Sequence, residues 1–529
     1  MEKKKIQVWL PLLFSLTMIA GMFVGYKMRD GLPGKSFFYV EKRRTIQEVM
    51  DLIQTHYVDT VNLDAISDTA IDAVLSQLDP HSVFIPAKEL QAANEDIAGN
   101  FFGIGIEFNV FKDTIHVVNV LKDGPSFIAG IQTGDRILKA NDSTLTGKNM
   151  TTDRIRQNLR GELGSPVNIV VLRDGKQSTI KVNRGIIPLY SLDAGYMIDK
   201  NIGYIRLNKF SKQTYREFME SLTSLKKQGL QKLILDLRGN GGGVLDEAVE
   251  IADEFLAGDK LITYTEGSHV ARKEYRCRRE GQFENGELVV LADEGSASAS
   301  EILLAALQDW DRATIIGRRS FGKGLVQEQY DLSNKSALRL TVARYYSPLG
   351  RSIQRPYKNG GLAYYNEITD RYNSGGMVSA DSVKPGSGKI FTTKAGKKIY
   401  ESGGITPDVF VPADTSKPGL ASVRLYVSGS LNDFGYKYFL RNPGIKTRYK
   451  NSKEFAQNFE LTENDWESFE LQTSKDSVNL SAISAKERSY LTRALKSSLA
   501  RQLFRTEGYF EVMNKEDSAI KKSLELLRK

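Results

Sequence analysis

A chain of 529 residues is too long for one hydrophobic core and implies several modules. Its 41% apolar and 26% charged residues are those of an ordinary folded protein, which excludes a disordered chain and a multi-spanning membrane protein. The net charge of +9 sits in short clusters such as Lys3 to Lys5 and Arg276 to Arg279, with no long basic stripe and no nucleic-acid module, so no nucleic-acid partner is expected.

The first element is an apolar stretch. Ile6 to Tyr26 carries no charged residue, follows Lys3 to Lys5 and is closed by Lys27 and Arg29. At about 1.5 Å per residue such a helix spans about 30 Å, the thickness of a bilayer core. A cleaved signal peptide wants a shorter apolar region and a small-residue cleavage site. Ala20 is the only alanine before residue 27, so the expectation is an uncleaved anchor over residues 1–27 with its basic end in the cytoplasm. Residues 28–98 read as helical, with Ile46, Val49, Met50, Ile53 and Tyr57 at helical spacing, then Ile66, Ala70, Ala73, Val74 and Leu78, up to a stop at Asp79-Pro80.

From Phe101 short strands replace helices: GIGIEFNV, TIHVVNVL, RILKAND, PVNIVVLR and STIKV, with turns at Asp123-Gly124, Gly134-Asp135 and Asp174-Gly175. The ordered set FFGIGIEF, DGPSFIAGIQTGDRILKAND and LRGELGSPVNIVVLRDG resembles a PDZ domain of the bacterial protease type, over residues 99–185. Gly103, Ile104, Gly105 and Ile106 would then form a backbone nest for a terminal carboxylate, followed by a strand edge for peptide addition. After residue 200 strand and helix alternate, as in an α/β core: NIGYIRLNKF, TYREFMESLTSLKKQ, KLILDLRG, LDEAVEIADEFLAG, ELVVLAD, ASASEILLAALQDW, ATIIG and ALRLTVARYY. Residues 355–400 read as a long polar insertion, and helical patterns return after 416, with Leu491, Leu495, Leu499 and Leu503 on one face. Cys277 is the only cysteine, which excludes an intrachain disulfide and a thiolate zinc site. Its neighbours Arg276, Arg278 and Arg279 would favour a reactive thiolate, but no histidine is close in sequence.

Two motifs bear on chemistry. Gly317 to Lys323 contains G-x-x-x-x-G-K, yet Gly324 stands where a nucleotide-binding loop needs Ser or Thr, and LVQEQYDL continues as an extended segment instead of a helix. Lys323 is therefore free for another task. As a general base it would need burial, because an ordinary lysine with a pKa near 10.4 is almost wholly protonated at neutral pH. Ser298, between ELVVLAD and a helix, is the hydroxyl it could activate, at a place where unpaired helix N–H groups favour an oxyanion. The competing reading of Ser298-x-x-Glu301 is a capping box. The four histidines lie away from Ser298 in sequence and no G-x-S-x-G surrounds it, so a histidine triad is poorly supported. The glycine loop Gly239 to Gly243 ends a buried strand and fails as a dinucleotide fingerprint at Val244; it is a tight turn or part of an oxyanion hole.

DLRGNGGG, EGSASASEILLAALQDWDRATIIGRRSFGKGLVQ, RYYSPLGRSIQ and GGITPDV, in that order behind a PDZ-like domain, resemble the C-terminal processing peptidases, or tail-specific proteases, as does the upstream LDPHSVFIPAKEL. The resemblance covers residues 40 to 411. It implies a strand-and-helix spiral protease core over 186–415, of the crotonase and Clp-peptidase kind, in a multidomain α/β plus β chain with a helical region over 416–529. It implies Ser298 as nucleophile, Lys323 as general base, Gln327 as the side chain orienting it, and Gly243 and Ala299 as oxyanion donors, with Gly241 and Gly242 left open by the glycine run. No metal or other cofactor is implied. The partners expected are protein substrates with accessible C-terminal tails and the membrane, at a bacterial inner membrane with the catalytic part on the periplasmic side. A homo-oligomer and a regulatory adaptor are left open. The rival from another class is a tethered PDZ adaptor with an inactive core.

Overall fold

The computed structural model describes residues 3–31, 45–111, 113–147, 150–379, 388–401, 403–414, 419–476 and 478–529. Two compact units divide the chain, 1–71 and 72–529. The first holds the helix Lys3–Gly31, in which Trp9–Lys27 is long and apolar enough to cross a membrane, a property that a signal sequence shares. The helix Thr45–His56 follows, with no buried residue.

In the second unit the α/β core is built on a six-stranded sheet. Ile202–Leu207, Lys232–Asp236, Glu287–Ala292, Thr314–Gly317 and Val409–Phe410 run parallel, and Leu192–Met197 adds an antiparallel edge. Its strands alternate strictly. Ile205, Leu207, Leu233, Leu235, Leu288, Val290 and Ile315 meet the helices Thr214–Lys227, Leu245–Asp253 and Ala299–Asp309 on one face. Ile202, Tyr204, Ile234, Val289, Leu291 and Ile316 face the other way, onto the last helix, Ser518–Leu527. Burial on both faces is why LIL, before Asp236, and LVVLA read as unbroken apolar runs.

A second sheet carries the lysine hairpin. Leu325–Asp331 pairs with Ala337–Tyr346, whose other edge receives Val83–Ile85 and Leu261–Glu266. This pairing brings the Asp79-Pro-His81 turn onto the core, locked there by Asp79, whose Oδ1 accepts the N–H groups of His81 and Ser82 and the Thr341 hydroxyl at 2.8, 2.9 and 3.1 Å.

The β-rich domain is a sheet in the order Ile106–Phe111, Thr114–Val120, Arg136–Ala140, Pro166–Arg173 and Lys176–Asn183, closed by the helix Thr152–Leu159 around Ile115, Val117, Ile137, Ile155, Val167, Ile169 and Val171. The expected strand GIGIEFNV is interrupted. Asn100–Gly103 pairs with Gly185–Pro188, and the chain turns at Gly105, φ 76°, before Ile106–Phe111 begins. The insertion over 355–400 also differs from the loop expected. It contains the helix Gly361–Asn373 and a hairpin of Ile390–Thr392 with Lys398–Tyr400. Only Tyr364 of that helix is buried, so its sequence has no apolar stripe to reveal it.

Candidate active site

Ser298 sits at the entrance to the helix Ala299–Asp309 with φ 57° and ψ −115°. A residue with a Cβ adopts such a backbone only under constraint, at a cost of about 1–3 kcal/mol. The constraint is a set of bonds to the neighbouring strand end. The Ala297 N–H donates to the Asn240 carbonyl at 3.0 Å, the Ser300 hydroxyl donates to the same carbonyl at 2.9 Å, and the Ser296 hydroxyl donates to the Leu237 carbonyl at 2.8 Å.

The capping-box reading captures half of what Glu301 does. Its carboxylate accepts the Ser298 N–H at 2.9 Å, as in a box, while the Glu301 N–H turns to the Ser298 carbonyl at 2.8 Å. The same fully buried carboxylate also accepts the Lys323 N–H at 2.8 Å, the Gly322 N–H at 2.7 Å and the Ser320 hydroxyl at 2.5 Å. Burial pushes its pKa up, and the four donors oppose that shift. Glu301 is thus the clasp between the serine turn and the lysine loop. The Tyr345 hydroxyl adds a second clasp, against the carbonyls of both Ser298 and Lys323.

Lys323 is largely buried. Desolvation lowers its pKa, the Arg339 charge lowers it further, and Asp79 and Glu301 oppose both. Its Nζ donates to Gln327 Oε1 at 2.9 Å, and Gln327 Nε2 donates to the His81 carbonyl. A β-bulge between Val326 and Gln327 shifts the register against Ala337–Tyr346 at this point and re-aims the Gln327 side chain. No hydrogen bond joins Lys323 Nζ to Ser298 Oγ; the two residues are brought together through Glu301 and Tyr345.

The glycine loop packs on the serine turn. Asp236, fully buried, ends its strand. Burial alone would raise the Asp236 pKa, but Arg238 and Arg206, at 2.7 and 2.9 Å, hold it well below the usual carboxylate range. Asn240 then forms a local turn, its Oδ1 accepting the Gly242 N–H at 2.9 Å while its Nδ2 donates to the Leu207 carbonyl at 3.0 Å. A Cβ on Gly243, φ 143°, would lie 2.0 Å from the Phe210 carbonyl oxygen, so only glycine fits. The N–H groups of Gly243 and Ala299 have no partner among the described residues, whereas that of Gly242 is already engaged.

Sequence reasoning missed three contributors: Asn240, Tyr345 and the His81 turn. Asn240, between two glycines, is the one with a readable signal, because asparagine readily bonds its own turn. In the sequence His81 is one of four histidines away from Ser298, within LDPHSVFIPAKEL. Its ring meets Tyr364 at 2.9 Å, and its pKa is pushed down to about 4 by burial first and by the Lys323 charge next. Cys277, by contrast, is buried and held neutral: burial and Asp253 push its pKa up to about 12, outweighing the opposing hydrogen bond and charge of Lys260. In the β-rich domain Ile104 is buried, its carbonyl accepting the Ser126 N–H at 2.9 Å, while the outer edge of Ile106–Phe111 pairs with no strand among the described residues.

A peptidase-type serine turn on an α/β core, preceded by a domain of PDZ topology, defines the class: a serine-type peptidase with a PDZ domain. The family models agree, with Peptidase family S41 matching residues 201–361, the PDZ domain matching 103–183 and a family of unknown function matching 422–505. The carboxy-terminal-processing protease of Bartonella bacilliformis is 34% identical over 58% of this chain and 71% of its own length. A probable CtpA-like serine protease of Staphylococcus epidermidis is 32% identical over 60% of this chain and 65% of its own. The solved photosystem II D1 C-terminal processing protease is 29% identical over 58% of this chain and 83% of that one, with a TM-score of 0.33. The chain belongs to the carboxy-terminal-processing protease family, a group of S41 peptidases.

Proposed function

We propose that the protein cleaves extracytoplasmic proteins near their C-termini by a Ser298–Lys323 mechanism, anchored through the helix that contains Trp9–Lys27. The observation that carries this reading is the desolvated Lys323 amine, fixed by Gln327 and clasped through Glu301 to the strained Ser298 turn. In the reaction Lys323 takes the proton of the Ser298 hydroxyl as Oγ bonds to the scissile carbonyl carbon. The carbonyl oxygen becomes an oxyanion received by the N–H groups of Gly243 and Ala299, a contribution typically of about 10²–10³ in rate per donor. The Lys323 ammonium gives its proton to the departing amine as the C–N bond breaks; the neutral Lys323 amine then takes a proton from water as the water oxygen bonds to the acyl carbon, and the ammonium returns that proton to Ser298 Oγ as the acyl C–Oγ bond breaks.

The names carried by the relatives support C-terminal substrates, and the open edge at Ile106–Phe111 suits a peptide added as a strand beside the Gly103 to Ile106 turn. The test is cleavage of an unstructured protein with an apolar tail. Ser298→Ala is expected to bind the tail and leave it uncut, and Lys323→Arg, whose guanidinium holds its proton, to fail as well. Persistent cleavage by Ser298→Ala overturns the nucleophile, and full activity of Lys323→Arg overturns the base.

A further inference from the structure

The groove beside Ile106–Phe111 is not made by the PDZ domain alone. One wall is the turn Gly103 to Ile106, the strand edge and the helix Thr152–Leu159; the other comes from the C-terminal helices, through Tyr436, Arg501, Gln502 and Arg505. Together they enclose about 690 Å³. The contact between the walls is built into both. A bulge between Glu107 and Phe108 leaves Val118, on Thr114–Val120, outside the register with Ile106–Phe111, and Gln502 donates to the Val118 carbonyl. The Tyr436 ring stacks on Phe111 at 5.6 Å and its hydroxyl donates to the Val117 carbonyl at 3.3 Å. The helix Ala485–Met513 breaks here, with Arg505 at φ 63° and ψ −156°, and that break sets the Arg505 guanidinium 2.5 Å from Glu107.

We infer that the C-terminal helical region, residues 420–513, completes the peptide groove and gives it a preference for C-terminal tails carrying acidic side chains upstream of the free carboxylate. The inference rests on tail capture by the PDZ domain as proposed above. The charge of the groove supports it. Four arginines line it, Arg156 and Arg160 from the PDZ side and Arg501 and Arg505 from the helical side, against one acidic residue, Glu107. Arg505 is neutralised by Glu107, Arg160 by Glu95 at 2.7 Å and Arg156 by Asp153 at 3.7 Å. Arg501 is exposed and has no ion pair among the described residues, so the cavity holds uncompensated positive charge beside the strand edge. A tail paired along the six residues of Ile106–Phe111 would present side chains about two to six positions before its carboxylate to that wall. Exposed pairs of this kind are modest in strength, so selection is a matter of several-fold and is screened by salt.

The experiment measures binding of short fluorescent peptides to the full chain carrying Ser298→Ala, which prevents their cleavage. Three peptides share an apolar free C-terminus and differ upstream in acidic, neutral or lysine residues. Arg501→Glu is expected to weaken the acidic peptide by roughly fivefold, leave the neutral one unchanged and strengthen the lysine one, at an unchanged thermal midpoint. Equal changes for all three peptides, or none, overturn the composite groove while tail capture stands. If the amidated neutral peptide binds the parent as tightly as its free acid, tail capture itself fails, and the composite groove with it.

Discussion

The serine turn and the PDZ groove solve opposite problems with the same backbone chemistry. Around Ser298 nearly every donor and acceptor is committed: one buried carboxylate takes four donors, Asn240 satisfies the glycine loop, and Gln327 is fixed at both ends. Around Ile106–Phe111 a whole strand edge pairs with no other strand among the described residues, and Arg501 beside it is exposed. Bond-making chemistry requires groups held to fractions of an ångström before substrate arrives, whereas recognition of many tails requires hydrogen-bonding capacity that the resting protein does not itself consume.

That contrast yields measurable differences. The largest effect outside Ser298 and Lys323 is expected at Glu301. Glu301→Gln places an amide N–H₂ among the four donors, so stability should fall by about 2–4 kcal/mol and turnover by 10²-fold or more, read by thermal denaturation and kcat. A variant of unchanged Tm and kcat would show that the clasp is dispensable. Gln327→Ala is expected to lower kcat by about 10- to 100-fold with peptide affinity unchanged, since it frees the Lys323 Nζ without touching the groove. A parallel loss of binding would mean that the two regions are not separable.

The pH dependence follows from the direction of the lysine shift. A lowered pKa enlarges the neutral-amine fraction, so kcat/KM should rise with pH along a limb centred below the ordinary lysine value of 10.5. Arg339→Gln removes a neighbouring positive charge that lowers that pKa and should move the limb to higher pH; a shift downward contradicts the assignment of Lys323 as base. His81, at about 4, stays neutral above pH 5 and adds no inflection near 6.5. The smallest effect is expected at Cys277. With its thiol pushed up to about 12, Cys277→Ser should retain activity within about twofold, and the folded parent should resist alkylation at neutral pH.

Much of this was legible because it is local. The apolar runs LIL and LVVLA announce strands buried on both sides, the alternation in ALRLTVARYY matches Ala337–Tyr346, and Gly324 disqualifies a nucleotide loop by chemistry alone. The helix Gly361–Asn373 was not legible, because its order rests on Tyr364 meeting His81, a residue 283 positions away. Glu301 shows the limit most clearly. Three residues after Ser298 it reads as a cap, and nothing nearby reveals that Ser320, Gly322 and Lys323 will converge on the same carboxylate.

Residue order was therefore enough for the elements, the modular plan and the residue types able to do acyl transfer, since periodicity, turn chemistry and side-chain pKa act over a few neighbours. Which groups end up sharing a partner, how far the Lys323 amine is dried, and that helices from the end of the chain wall the PDZ groove depended on folding. Those properties arise from contacts between segments distant in sequence, where burial and charge come from whatever the rest of the chain packs alongside.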